Sequence, residues 1–529
     1  MPVLGTDPAT YQSEPLVDWD LISTPQEGAG GRTIHYARGK TLGGSSALNT
    51  LAYVRGSKGT YDRWAEEVGD DSYQWDSVLP LFKAGAQLTP PDLEKRNAPN
   101  ATPSWDPDAF SAVTGAEQRP LHVSFGNWVD ATTSWLARAL QGIGMAPAPK
   151  GLNSGSISGV GGWTSSTIDP RDATRSSSQT SYLELAESET RIEVYSRTQA
   201  TKILFAAETA VGVAVESQGV AFTLTARKEV ILSGGVFHSP QLLMISGIGP
   251  SAALQSLGIP VIKDLPGVGQ NLWEQITFSV LQGMSTPTGR TLVDSPDPSV
   301  RDETLRQYHD HQAGPYSQAG GYFSFEKIPE RLRANFSKET RDKLADFPDD
   351  WPETQYIPFG FAITSGNTSQ TVGVMSATLT APLSRGNVTI TSTSIKDPPV
   401  FDLAWLSDPA DAEVAVAALK RCREALADPS LSSVRVGSEF APGTSVTTDE
   451  DILAYIRQSA STVWHASGTC KMGKVEDLMA VVDSRAKVFG VEGLRVVDAS
   501  AFPFAMPANP QATVYMLAEK IADAIIRGL

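Results

Sequence analysis

The sequence predicts a mixed α/β fold, in which a doubly wound domain is interleaved with a domain built on an antiparallel sheet. Three observations predict it. Short β-branched runs, punctuated by glycine or polar turns, fill residues 191–235 and 355–405. Helical apolar spacing marks 129–143, 407–427 and the C-terminal stretch 512–529. Glycine-rich segments lie near the start and in the middle, outside these runs. A core assembled from the two ends and the middle, with a separate sheet inserted, accounts for that order.

The elements follow in chain order. Residues 1–75 are loop-rich, with GGSSALN in their midst. The Pro-rich, charged stretch QLTPPDLEKRNAPNATPSWDPD reads as an ordered surface excursion. VDATTSWLARALQGI has the spacing of a helix that ends near glycine. From Arg191 the pattern changes to strands: RIEVYSRTQATKILF, AVGVAVES, AFTLTAR and KEVILSGG. SPQLLMISGIG then starts like a helix capped by Ser239 with Pro240 at its first position. Residues 285–350 are polar and helix-leaning, a solvated face. Strands return in QYIPFGFAI, TVGVMSATLTAPL and GNVTITST. SDPADAEVAVAALKRCREALA is a helix with an Asp/Ser start. In ATVYMLAEKIADAIIRGL, Val514, Leu517, Ile521 and Ile525 form one apolar stripe.

Composition narrows the function. The 529 residues suggest two to four domain-sized units, and a net charge of −16 argues against a nucleic-acid partner. The two cysteines, Cys422 and Cys470, exclude a disulfide framework, and no metal-ligand spacing occurs, so no metal is expected. No apolar run is long enough to cross a membrane, and the first twenty residues have neither region of a signal peptide. Localisation and oligomeric state stay open.

Four segments carry chemistry. In GKTLGGSSALN (39–49), paired glycines let backbone amides approach a phosphate or a flat ring. SGGVFHSPQLLMISGIGP (233–250) is a strand, turn and helix. WHASGTCKMG (464–473) holds His465, one of six histidines, and VDASAFPFAMPANPQATVYMLA (497–518) holds Asn509, 44 positions later. A neutral imidazole suits removal of a hydroxyl proton, and an amide can orient the same oxygen.

Together these segments resemble the signatures of the glucose–methanol–choline family of flavin oxidoreductases, in wording closest to its fungal members. The resemblance implies FAD as cofactor and oxidation of a small-molecule alcohol to a carbonyl, with hydride passing to the flavin. It implies His465 as base and Asn509 as its partner. Gly43, Gly44 and Asn49 would border the flavin, with Ser45 and Ser46 near its pyrophosphate. Ser233 and Gly234 would approach the cofactor, and Ala200 would meet the adenine. Asp498, Ala499, Pro510 and Gln511 would contact the ribityl chain or pyrimidine side. LPGVGQNLWEQ (265–275) is another family block, departing at Glu274 and Gln275 where Asp-His is usual.

One part of the family pattern is missing. No G-x-G-x-x-G follows a strand and opens a helix, the unit that holds the ADP half of a dinucleotide. The expectation is an FAD-binding domain incomplete at its N-terminus, from an incomplete chain; the alternative is a lineage that discarded the unit. The FAD domain is expected at 1–75, 185–285 and 460–529. The substrate domain and surface excursions are expected at 76–184 and 286–459. Two other functions fit the same residues. One is a non-redox cyclodehydration in fungal secondary metabolism, resembling versicolorin B synthase. The other is a non-catalytic remnant.

Overall fold

A computed structural model describes residues 14–110, 120–365 and 368–529; the first thirteen residues, part of the stretch read as carrying no signal peptide, lie outside the described part. The N-terminal stretch is loop-rich, with a small hairpin, β1 (Leu21–Ile22) and β2 (His35–Tyr36). Helix α1 (Ala131–Gly142) is capped by Asp130, whose carboxylate accepts from Thr133 N at 2.8 Å. Two short strands follow, β3 (Ala146–Pro147) and β4 (Val160–Trp163). An antiparallel three-stranded sheet comes next: β5 (Thr198–Ala206), β6 (Thr209–Ser217) and β7 (Val220–Thr225). Its first strand starts later than Arg191, because residues 191–196 are exposed and irregular and Arg197 turns the chain at φ +54°.

Strand β8 (Val230–Leu232) leads into helix α2 (Gly235–Ile245). This corrects the expected helix start. Pro240 is inside α2, not at its first position, and Ser239 is not its cap. A proline there has no N–H for the carbonyl of Val236. Thr469 Oγ1 donates to that carbonyl instead, at 2.6 Å, so the helix tolerates the ring. Ser239 Oγ donates to Asp498 Oδ2, also at 2.6 Å. Both compensations come from residues more than 200 positions away, which local pattern cannot show.

The rest of the chain builds the large sheet and closes the core. In order come β9 (Ile276–Met284), α3 (Pro298–His311), β10 (Tyr322–Glu326), β11 (Thr354–Ser365) and β12 (Thr368–Leu379). Then come α4 (Pro409–Leu426), β13 (Arg435–Ala441), α5 (Asp449–Ser459), β14 (Ser461–Thr462), β15 (Leu494–Val496) and α6 (Gln511–Ile526). The sheet runs β13-β9-β12-β11-β10-β4-β3, with β14 also paired to β9. All its pairs are antiparallel except β3–β4. Strand β10, buried throughout, interrupts the stretch 285–350 that reads as a helix-leaning solvated face. Helix α4 covers this sheet with Val414, Leu419, Cys422 and Leu426, all buried. Burying each large aliphatic side chain there contributes about 1.5–3 kcal/mol.

A second core lies around the parallel pair β8–β15, where α6 buries Met516, Leu517 and Ile521. Val514 and Ile525, the other stripe positions, are half-buried against it. The mixed α/β architecture is thus as expected. Among the described residues β8 pairs on one edge only, and Ile231 on it is 47% exposed. Both cysteines are free and buried. No described helix is long and apolar enough to cross a membrane.

Candidate active site

His465 sits in a loop just after β14, and its backbone is held from three sides. Trp464 turns the chain at φ +60°, and its carbonyl accepts from Arg38 Nη2 at 2.7 Å. The Glu274 carboxylate accepts from Thr462 Oγ1 at 3.0 Å and from His465 N at 3.3 Å. The Tyr36 hydroxyl accepts from Ala466 N at 2.9 Å and donates to Glu274. Ser467 and Trp273 exchange backbone bonds at 3.0 Å. The loop is therefore fixed by hairpin β1–β2 and by residues 273–275, immediately before β9.

His465 as a residue is 8% exposed. Its Nδ1 lies 2.7 Å from Gln275 Oε1, and its Nε2 lies 3.2 Å from Asn509 Nδ2. Gln275 Nε2 donates to the Met506 carbonyl at 2.7 Å. Gln355, on β11, reaches Asn509 Oδ1 at 3.5 Å, so the large sheet contributes to the site. Gln355 Oε1 is buried and has no hydrogen-bond partner. The structure thus brings His465 and Asn509 together across 44 residues of sequence.

Electrostatics set the state of these groups. Burial, aided by the Arg38 charge, lowers the His465 pKa from 6.5 to about 3, so the ring is neutral in the ordinary pH range. Burial raises Glu274 to about 7, against the opposing hydrogen bond from Tyr36 and charge of Arg38. A neutral imidazole beside an amide N–H can accept a proton and orient a hydroxyl.

The glycine and serine positions gather nearby. Gly43 and Gly44 take φ +86° and +53°, and a Cβ on Gly44 would meet nothing within 4 Å. Gly235, at φ +80°, faces open space in the same way. Ser45 Oγ accepts from Gly39 N at 3.2 Å, and Ser46 Oγ donates to the Gly43 carbonyl at 2.6 Å, so both hydroxyls shape the turn. Asn49 donates to Gln511 Oε1 and accepts from Arg175 at 2.8 Å, tying the turn to the start of α6 next to Pro510. Ser233 and Gly234 are exposed at the end of β8, where Ser233 Oγ donates to the Val497 carbonyl at 2.9 Å. Asp498 accepts from Gly235 N at 2.9 Å and Ser500 N at 2.7 Å, and the Ala499 carbonyl accepts from Gly468 N at 3.0 Å. Ala200 is half-buried on β5 opposite Val215, beside a bulge at Thr201.

Sequence reasoning passed over several members of this site. Gln275 and Glu274 stood out as departures within LPGVGQNLWEQ, without a role. Tyr36, Arg38, Gln355 and Met506 gave no local signal. Elsewhere, Asp18, Asp20 and His35 meet on the β1–β2 hairpin, with His35 Nε2 3.1 Å from a carboxylate oxygen of each. No metal was expected from the sequence, and spacing along a chain cannot register such a meeting.

Comparison with known proteins gives the family. Family models for GMC oxidoreductases match residues 20–277 and 382–518. The chain is 43% identical to dehydrogenase pkfF of Emericella nidulans, covering 99% of this chain and 84% of that one. It is 42% identical to patulin synthase of Penicillium expansum, over 99% and 83% of the two chains. It is 43% identical to versicolorin B synthase of Aspergillus parasiticus, over 97% and 79%. An FAD-dependent oxidoreductase from Chaetomium thermophilum superposes with a TM-score of 0.85 at 29% identity, covering 98% and 91%. A fungal aryl-alcohol oxidase gives 0.85 at 26% identity, covering 97% and 89%. At Gly44 and Gly235, both at positive φ, an added Cβ would meet nothing within 4 Å, which leaves the backbone there open to approach by a bulky group such as FAD. The chain therefore belongs to the glucose–methanol–choline family and is an FAD-dependent oxidoreductase.

Proposed function

We propose that the chain oxidises an alcohol to a carbonyl, with His465 as the base. The observation that carries this reading is a buried, neutral imidazole whose Nε2 faces the side-chain amide of Asn509 at 3.2 Å. A substrate hydroxyl placed against both groups would give its proton to Nε2 and be oriented by the amide. The buried Gln355 Oε1, which has no partner, offers a further acceptor for a polar substrate group beside Asn509. Bound FAD supplies the hydride acceptor.

The chain's own groups have distinct tasks in this reading. Gly43, Gly44, Ser233 and Gly234 would let backbone approach the cofactor. Asn49, Ser45, Ser46, Asp498, Ala499, Pro510 and Gln511 would line its flavin and ribityl side, and Ala200 its adenine. Glu274, Tyr36 and Arg38 hold the His465 loop and exclude water from behind it. Oxidised small molecules of fungal secondary metabolism are the substrate class that the similarity to patulin synthase supports.

A second reading is non-redox cyclodehydration, supported by 43% identity to versicolorin B synthase. The lowered His465 pKa does not separate the two, since near neutrality it leaves the ring scarce as an acid and weak as a base. Anaerobic mixing of the FAD-loaded chain with a panel of primary alcohols, and with a dihydroxy carbonyl compound able to cyclise with loss of water, separates the two. Bleaching of the flavin band with formation of aldehyde supports oxidation. A dehydrated product without bleaching supports cyclodehydration and would sink the oxidation reading.

A further inference from the structure

We propose that Gln275 is a positioning residue that fixes the tautomer of His465, with the main-chain carbonyl of Met506 dictating the direction. The inference rests on the reading of His465 as base, and it names the atom that takes the proton.

The argument starts from the one group whose role is unconditional. A backbone carbonyl can only accept. Met506 O lies 2.7 Å from one end of the Gln275 amide, so that end is the NH2 group. The other end is then Oε1, 2.7 Å from His465 Nδ1. An oxygen without a proton at that distance requires Nδ1 to carry one. A neutral imidazole has a single N–H, so Nε2 must hold the lone pair. Asn509 Nδ2 donates to it at 3.2 Å, which leaves Asn509 Oδ1 toward Gln355 Nε2. Four side chains share one polarity, set by a carbonyl outside the chemistry.

Burial makes the setting firm. Gln275 and Gln355 are fully buried, and His465 and Asn509 are each 8% exposed. Reversing the chain would put Met506 O against Gln275 Oε1 and leave the Gln275 NH2 group against Nδ1. Water has little access to relieve the first contact. Gln275 also has no charge at any working pH. A neutral acceptor on Nδ1–H orients the ring without stabilising the imidazolium, whereas a carboxylate there would do both. The titratable groups around the ring are Glu274 at its backbone N–H, Arg38 at the Trp464 carbonyl and Tyr36 at Ala466 N.

The test uses the full chain, loaded with FAD and labelled with ¹⁵N-histidine. Two-dimensional ¹⁵N–¹H spectra report which ring nitrogen carries the proton, and His465→Gln identifies the His465 signals among six histidines. The expected result is a proton on Nδ1 and a bare Nε2. Gln275→Leu should mix the tautomers and lower kcat about tenfold or more. Gln275→Glu, whose protonated carboxyl can donate to the Met506 carbonyl and accept from Nδ1–H, should restore the Nδ1–H form. A proton on Nε2 of His465, or an equal mixture, in the unsubstituted chain would overturn the proposal even if both variants failed to fold. An unchanged tautomer in a folded Gln275→Leu chain would do so too. Absence of alcohol turnover with the Nδ1–H tautomer intact would instead overturn the oxidase reading and leave the role of Gln275 standing.

Discussion

Replacing His465 with glutamine is the sharpest perturbation of the proposed chemistry. The substituted amide can still hydrogen-bond toward Gln275 and Asn509, so packing is largely kept while the base is lost. General-base catalysis contributes about 10²–10⁴-fold. At about 1.4 kcal/mol per tenfold, that is a barrier increase of roughly 3–5 kcal/mol. The pH behaviour follows from the same site. With a pKa near 3, only about one ring in 10⁴ is protonated at pH 7, so His465 should impose no acid limb between pH 5 and 8. The assay is steady-state kcat and kcat/KM against pH for an alcohol substrate, with an artificial electron acceptor. Two results would refute the reasoning. One is unchanged kcat in a folded, flavin-loaded His465→Gln chain. The other is an acid limb near pH 6.5 that disappears with that substitution.

Three further outcomes follow from the geometry. Asn509→Ala should lower kcat by about 10²-fold, the usual effect of removing one donor at a reacting oxygen, with KM changing less; a raised KM with kcat unchanged would point to substrate binding alone. Glu274 is raised in the folded state, from 4.5 to about 7, so the native state holds its proton longer than the unfolded state. Its contribution to stability is therefore present below pH 4.5 and is lost as pH rises to about 7; the stability difference between the native chain and Glu274→Gln, from urea unfolding at several pH values, should change across that window and be flat outside it. Thr469→Val should cost about 1–3 kcal/mol in urea unfolding, because it orphans the Val236 carbonyl that Pro240 leaves free. A loss within error would mean that another donor takes that carbonyl.

Much of the architecture was legible because its signals are local. The β-branched runs of β5 to β8 and β11 to β12, and the apolar stripe of α6, are short-range patterns. The errors came where distant residues intervene. Ser239-Pro240 looks like a helix start, but Thr469 and Asp498 supply what the longer helix needs. Strand β10 was hidden because YFSFE is short and its burial depends on β4 and β11 on either side. Within the site, His465 and Asn509 were legible through motif context. The amide network of Gln275, Gln355 and the Met506 carbonyl was not, since no spacing rule links positions 275, 355 and 506. Glu274 and Gln275 were visible only as departures from a pattern, and the structure gives them partners.

The ADP side of the cofactor poses the remaining physical question. No G-x-G-x-x-G occurs in the sequence, and β8 has one edge without a strand partner among the described residues. In the proposed reading the flavin side falls to Gly43, Gly44, His465 and Asn509. The most direct test is a visible absorption spectrum of the purified chain after incubation with FAD and desalting. The account predicts a retained flavin spectrum. A folded chain that emerges colourless would contradict it.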